Sequence, residues 1–81
     1  MKADIVIIGG AGHIGLPLGI LFANKGKSVI LYDKDKKNID KINNSEMPFL
    51  EDDGERLLKK NKKKIFATTN KEFIKYARAV I

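Results

Sequence analysis

The chain has no cysteine and no tryptophan, and only one histidine, in 81 residues. Without cysteine there is no disulfide, no thiolate metal site and no thiol nucleophile within this stretch. A single histidine argues against a histidine metal centre. No apolar run approaches the ~20 residues that cross a bilayer. The N-terminus does not read as a signal peptide, because the short apolar run after Lys2 falls straight into glycines. The expectation is a soluble cytoplasmic protein with no membrane partner. Eighty-one residues make one small domain at most, with a limited core.

Arginine is also scarce. The net charge is +6, and the cations are almost all lysine. Nucleic-acid binding is one reading of such a balance. No aromatic stacking platform lies among the lysines, however. The densest patch, Lys59–Lys64, falls where a helix is expected to end, and cations are favourable at that end of the helix dipole. A solvated lysine surface is the reading adopted, with no nucleic-acid partner. Paired carboxylates, a Ser/His/Asp set and a lysine after the glycines are all missing, so hydrolase and nucleotide triphosphatase chemistry fall away.

What is present is a glycine turn. Gly10, Gly12 and Gly15 form a G-x-G-x-x-G pattern directly after the apolar run Ile5–Ile8, and Asp33 closes a second apolar run that begins at Ser28. This is the order a dinucleotide-binding βαβ unit requires. A pyrophosphate needs backbone N–H donors at close range and a positive dipole end, and a helix N-terminus supplies both. Gly10 is expected to take the φ > 0 geometry of the turn. Gly12 lets phosphates approach the main chain, and Gly15 lets the helix pack closely on its strand. Asp33 is expected to accept hydrogen bonds from the adenosine ribose and to repel a 2′-phosphate, which favours NAD over NADP. Lys34 and Lys36 soften that preference.

Along the chain, residues 4–8 read as a buried parallel strand. Residues 13–25 read as a helix whose apolar face is Ile14, Leu18, Leu21 and Phe22, with Gly15 and Gly19 on a neighbouring stripe and Gly26 as the stop. Residues 28–32 form a second strand. Asp35 caps a helix through about Asn43 with Ile39 and Ile42 inward. Met47–Leu50 is an extended connector, since Pro48 pushes its predecessor out of helix. Asp52 or Asp53 caps a short helix carrying Leu57 and Leu58. Residues 64–68 form a third strand, Asn70 caps a helical turn containing Phe73, Ile74 and Ala77, and residues 79–81 begin a fourth strand. The fold class is therefore α/β: a Rossmann-like parallel sheet with flanking helices, in strand order 3-2-1-4 and cut off as the fourth strand begins. Residues 1–81 are expected to be the N-terminal portion of an NAD-binding domain, with catalytic and substrate domains lying beyond it.

The chain resembles the N-terminal part of the UDP-glucose/GDP-mannose dehydrogenase family. Gly10–Leu18 is similar to the family's glycine turn running into Gly-Leu-Pro-Leu. Val29–Asp33 resembles its second strand and ribose acid. Ile39–Asn43 with Pro48–Glu51 resembles its connector, and Phe66–Asn70 its third strand end. The resemblance implies an NAD-dependent enzyme of polysaccharide biosynthesis that oxidises the C6 alcohol of a UDP- or GDP-sugar to the carboxylate. It also implies a homo-oligomer at full length. By position, His13 and Ile14 meet the pyrophosphate through their backbones and Asp33 meets the ribose, while Asn38 stands where several members carry a basic residue. The family's cysteine nucleophile and lysine lie beyond residue 81, so this stretch alone is expected to be inactive and to bind NAD weakly or not at all. Members usually carry Tyr or Phe at the position of His13.

Two other functions share the turn. One is a hydroxyacid or 6-phosphogluconate-type dehydrogenase. The other is a nucleotide-sensing domain of a potassium transporter, which performs no chemistry and has no need of the Pro48–Glu51 connector. Among single residues, the ring of His13 is expected to be incidental. Glu51 is expected to order the connector or cap the helix at 52–60 rather than reach substrate or cofactor. Thr68 and Thr69 either line the site or hand over to the Asn70 cap. Tyr32 and Tyr76 are expected to pack with their hydroxyls at the surface.

Overall fold

The computed structural model describes residues 2–81. Four parallel strands lie in the order β3-β2-β1-β4: β1 (Ala3–Ile8), β2 (Val29–Tyr32), β3 (Ile65–Thr68) and β4 (Ala77–Val80). Three helices join them: α1 (Gly15–Asn24), α2 (Lys36–Asn43) and α3 (Gly54–Lys60). Two 3-10 segments, Lys62–Lys64 and Lys71–Tyr76, precede β3 and β4. The register is even between the central strands, Ile5 beside Val29 through Ile8 beside Tyr32. No helix among the described residues is long and apolar enough to cross a membrane.

The period-2 alternation of the strands sorts the core onto two faces. Ile5, Ile7, Val29 and Leu31 point to the face that carries the helices, where they meet Leu16, Ile20, Ala23, Ile39, Ile42 and Leu58. Val6 and Ile30 point to the other face, which holds Phe66, Phe73 and Ile74. There Phe66 and Phe73 pack tilted, with ring centroids 4.8 Å apart.

The helix ends follow local chemistry. α1 stops in a Schellman arrangement: Gly26 has φ +93° and donates to Ala23 O, and Lys27 donates to Phe22 O. α2 starts on Asp35, whose side chain accepts the Asn38 N–H at 3.1 Å. It ends in a second Schellman turn with Ser45, at φ +60°, in the place a glycine usually takes. The buried Asn61 pins α3 to α1 by donating to Asn24 Oδ1 at 3.2 Å and to Leu57 O at 2.9 Å.

Four sequence expectations need correction. The buried face of α1 is Leu16, Gly19, Ile20 and Ala23, whereas Ile14 and Leu21 are exposed. The helix is apolar around most of its circumference, so periodicity cannot choose the face. Gly19 decides it: a Cβ there meets Leu31 Cδ2 at 2.5 Å, so only this side can lie close to the sheet. Asp53 precedes α3 but caps nothing. It sits at φ +59° and turns its carboxylate to Arg56 at 3.3 Å, which holds its pKa below the usual carboxylate range. Ala77 belongs to the fourth strand, which begins two residues earlier than expected and pairs Ala77 with Ala3. Gly10 does not take the positive φ; Gly9 does, at +75°.

Candidate functional site

The turn after β1 is built by close approach. Gly9 supplies the left-handed residue. Gly10 lies against β2, where a Cβ would stand 2.8 Å from Leu31 Cα, and its N–H donates to Tyr32 O at 2.9 Å. Gly15 opens α1 against the turn itself, since a Cβ there would lie 2.3 Å from Gly9 O. Gly12 is different: a Cβ would meet Gly9 O at 3.4 Å, an ordinary contact. The fold therefore demands glycine at 10 and 15, but leaves the bare main chain of Gly12 for something else to approach.

The donors of the turn divide into two sets. Gly10, Ala11, Gly12 and Leu16 spend their N–H groups on Tyr32 O, Asp33 Oδ2, Gly9 O and Gly12 O. Among the described residues, the N–H groups of His13, Ile14 and Gly15 donate to no protein acceptor. These are orphan donors at the positive end of α1, whose first turn carries no acidic residue. Three free N–H groups at a helix start whose first turn holds no acid fit a diphosphate.

Asp33 stands beside this cradle. Its Oδ2 accepts the Ala11 N–H at 3.0 Å and its Oδ1 accepts the Asp35 N–H at 3.0 Å. A carboxylate offers about four acceptor positions, so two remain for hydroxyl donors of a ligand. The donor and acceptor set thus fits a dinucleotide: amide donors for the diphosphate and a half-exposed carboxylate for a ribose.

The structure brings Gly10, Gly12, His13, Ile14, Gly15 and Asp33 to one end of the sheet, the carboxyl ends of β1 and β2, where open α/β sheets bind ligands. Asn38 lies on the first turn of α2, next to the Asp35 cap. Its N–H belongs to the Asp35 cap, and among the described residues no hydrogen bond joins it to the turn. Thr68 takes the structural option: its Oγ1 accepts the Asn70 N–H at 3.0 Å and its carbonyl accepts the Asp33 N–H at 3.2 Å. The His13 ring is not incidental. It stacks on Phe49 with centroids 4.1 Å apart and planes 19° from parallel. That contact joins residues 36 apart in sequence, and no local pattern announces it. The Asp33–Ala11 bond was equally invisible, although both residues were in view as parts of a motif.

Comparison with known proteins agrees with this geometry. Residues 3–81 match the family model described as the NAD binding domain of the UDP-glucose/GDP-mannose dehydrogenase family. Among solved structures, a ternary complex of GDP-mannose dehydrogenase from Pseudomonas aeruginosa is 26% identical, with a TM-score of 0.88 over 95% of this chain and 18% of that one. The UDP-N-acetyl-mannosamine dehydrogenase from Staphylococcus aureus is 27% identical, with a TM-score of 0.78 over 84% of this chain and 17% of that one. A UDP-glucose dehydrogenase from the archaeon Pyrobaculum islandicum, 18% identical, shares the fold, with a TM-score of 0.77 over 86% of this chain and 16% of that one. The chain thus spans less than a fifth of each of these enzymes. No curated protein matches it. The match extends from β1 to the end of the chain, through the glycine turn, Asp33 and the connector: the chain belongs to the UDP-glucose/GDP-mannose dehydrogenase family and is the part of it that binds NAD.

Proposed function

We propose that this chain is the cofactor-holding segment of a nucleotide-sugar dehydrogenase that oxidises the C6 alcohol of a UDP- or GDP-sugar to the carboxylate. That oxidation takes two successive hydride transfers, each to a separate NAD, with water supplying the second carboxylate oxygen. The residues here do the holding. The N–H groups of His13, Ile14 and Gly15 grip the pyrophosphate, and Gly12 gives it room. Asp33 accepts the adenosine ribose hydroxyls and disfavours a 2′-phosphate. Asn38, one turn into α2, borders the same ribose. Hydride transfer itself, the sugar site and the assembly of the full-length protein, which we take to be a cytoplasmic homo-oligomer, involve residues outside this segment.

The observation that carries the reading is the trio of unspent N–H groups at the head of α1, in the same turn whose Ala11 N–H is held by a carboxylate with free lone pairs. Calorimetric titration of the full-length protein with NAD and NADP tests it. The expected result is tighter binding of NAD, with the preference lost on Asp33→Ala. Equal losses for both cofactors would show that Asp33 is not the ribose acceptor.

A further inference from the structure

The connector between α2 and α3 is held at its two ends and bare in its middle. At one end Glu46 donates to Lys41 O at 2.8 Å and Met47 donates to Glu55 Oε2 at 3.2 Å. At the other, Gly54 donates to Glu51 O at 3.0 Å. Between them, Pro48, Phe49 and Leu50 make no hydrogen bond among the described residues, and Leu50 is fully exposed. Phe49 is the exception to this looseness. It is half-buried at the edge of the core and lies nearly parallel on the His13 ring. His13 in turn carries one of the three N–H groups left open at the head of α1.

One contact therefore ties a loosely held strap to the residue whose amide faces the diphosphate position. We propose that the Phe49–His13 stack is a latch: it fixes the connector against the glycine turn and holds the His13 backbone in its donor orientation, so that Phe49 governs how slowly the dinucleotide leaves. The inference rests on the cofactor reading above. Its physical basis is preorganisation. An amide already aimed at the anion loses little freedom on binding, and a stacked pair anchors the side chain on which that aim depends. Changes of this kind fall mainly on dissociation rather than association.

The test is the NADH dissociation rate of the full-length protein, followed by stopped-flow fluorescence. Phe49→Leu keeps an apolar side chain at the core edge but removes the ring; Phe49→Tyr keeps the ring. Phe49→Leu is expected to raise the dissociation rate roughly two- to tenfold, the range a stacked pair supports, with the association rate unchanged. Phe49→Tyr is expected to stay within about twofold of the native rate by the same measure. His13→Ala breaks the same contact, so combining it with Phe49→Leu should add little beyond either change alone. A native rate in Phe49→Leu, or effects of the two changes that multiply, would overturn the latch alone. A native protein that binds no NADH would overturn the cofactor reading and the latch together.

Discussion

Asp33 Oδ2 accepts the N–H of Ala11 at 3.0 Å, across 22 residues of chain. The acid expected to face a ribose is therefore also the tie that fastens the glycine turn to the end of β2. Ala11 is buried, so its N–H has no water to replace that acceptor. The same side chain takes the Asp35 N–H at the start of the segment leading into α2. The proposed ribose contact and the turn geometry thus share one carboxylate.

That double duty predicts two losses from one substitution. Asp33→Ala leaves a buried N–H without an acceptor, at a cost of about 1–3 kcal/mol in stability. Denaturant unfolding of the variant measures it. Asp33→Asn, which keeps one carbonyl oxygen for Ala11, should recover most of the stability but not the preference for NAD. An Asp33→Ala variant as stable as the native protein would show that the tie contributes nothing.

The glycines separate fold from function in a second prediction. Gly15→Ala drives a Cβ to within 2.3 Å of Gly9 O, a backbone atom that has nowhere to move, and should destabilise by at least about 1–3 kcal/mol. Gly12→Ala meets only Gly9 O at 3.4 Å and should change stability by no more than about 0.5 kcal/mol. Its methyl group nonetheless occupies the approach to the main chain, so NAD affinity should fall. Thermal melts beside NAD titrations of the two variants check the contrast. Equal melting losses would contradict it.

The order of elements was legible in the residues because the glycine turn, the β-branched strands and the Asp35 cap are local signals. Strand order followed from the dinucleotide-binding topology that the glycine turn and alternating elements imply. Four features were not legible, for physical reasons. The inward face of α1 was hidden because the helix is apolar on most sides, and only the close approach at Gly19 reveals it. Asp53 sits where a cap belongs, yet Arg56 draws its carboxylate away. The Phe49–His13 stack and the Asp33–Ala11 bond are long-range contacts that exist only once the chain has closed.

Acid stability supplies a third prediction. The Asp4 carboxylate accepts the Ser28 N–H at 2.9 Å and the Ser28 hydroxyl at 3.2 Å. The backbone bond is the main cause of its lowered pKa, opposed by some burial and aided by the hydroxyl and by the charges of Lys27 and Arg78. A carboxyl whose folded pKa is depressed stabilises the fold above its unfolded value of about 3.9, and that contribution is lost as the pH falls through the folded value. Asp4→Asn should therefore flatten the acid limb of the stability profile below about pH 4. An unchanged limb would assign acid sensitivity to other carboxylates.

The second Schellman turn offers a gain rather than a loss. Ser45 holds φ +60° at the end of α2, a conformation disfavoured by its Cβ. Ser45→Gly removes that strain and should stabilise by roughly 0.5–1 kcal/mol, after the added entropy of glycine in the unfolded chain. Chemical denaturation reads the change. A loss of stability instead would mean that the buried serine side chain contributes more than the strain costs.

The most direct test of the whole account is a crystal structure of the full-length protein with NAD bound. The account predicts pyrophosphate oxygens within hydrogen-bonding distance of the His13, Ile14 and Gly15 N–H groups, and adenosine ribose hydroxyls on Asp33. A cofactor seated away from residues 10–15, or a turn whose amides point elsewhere in the complex, would contradict it.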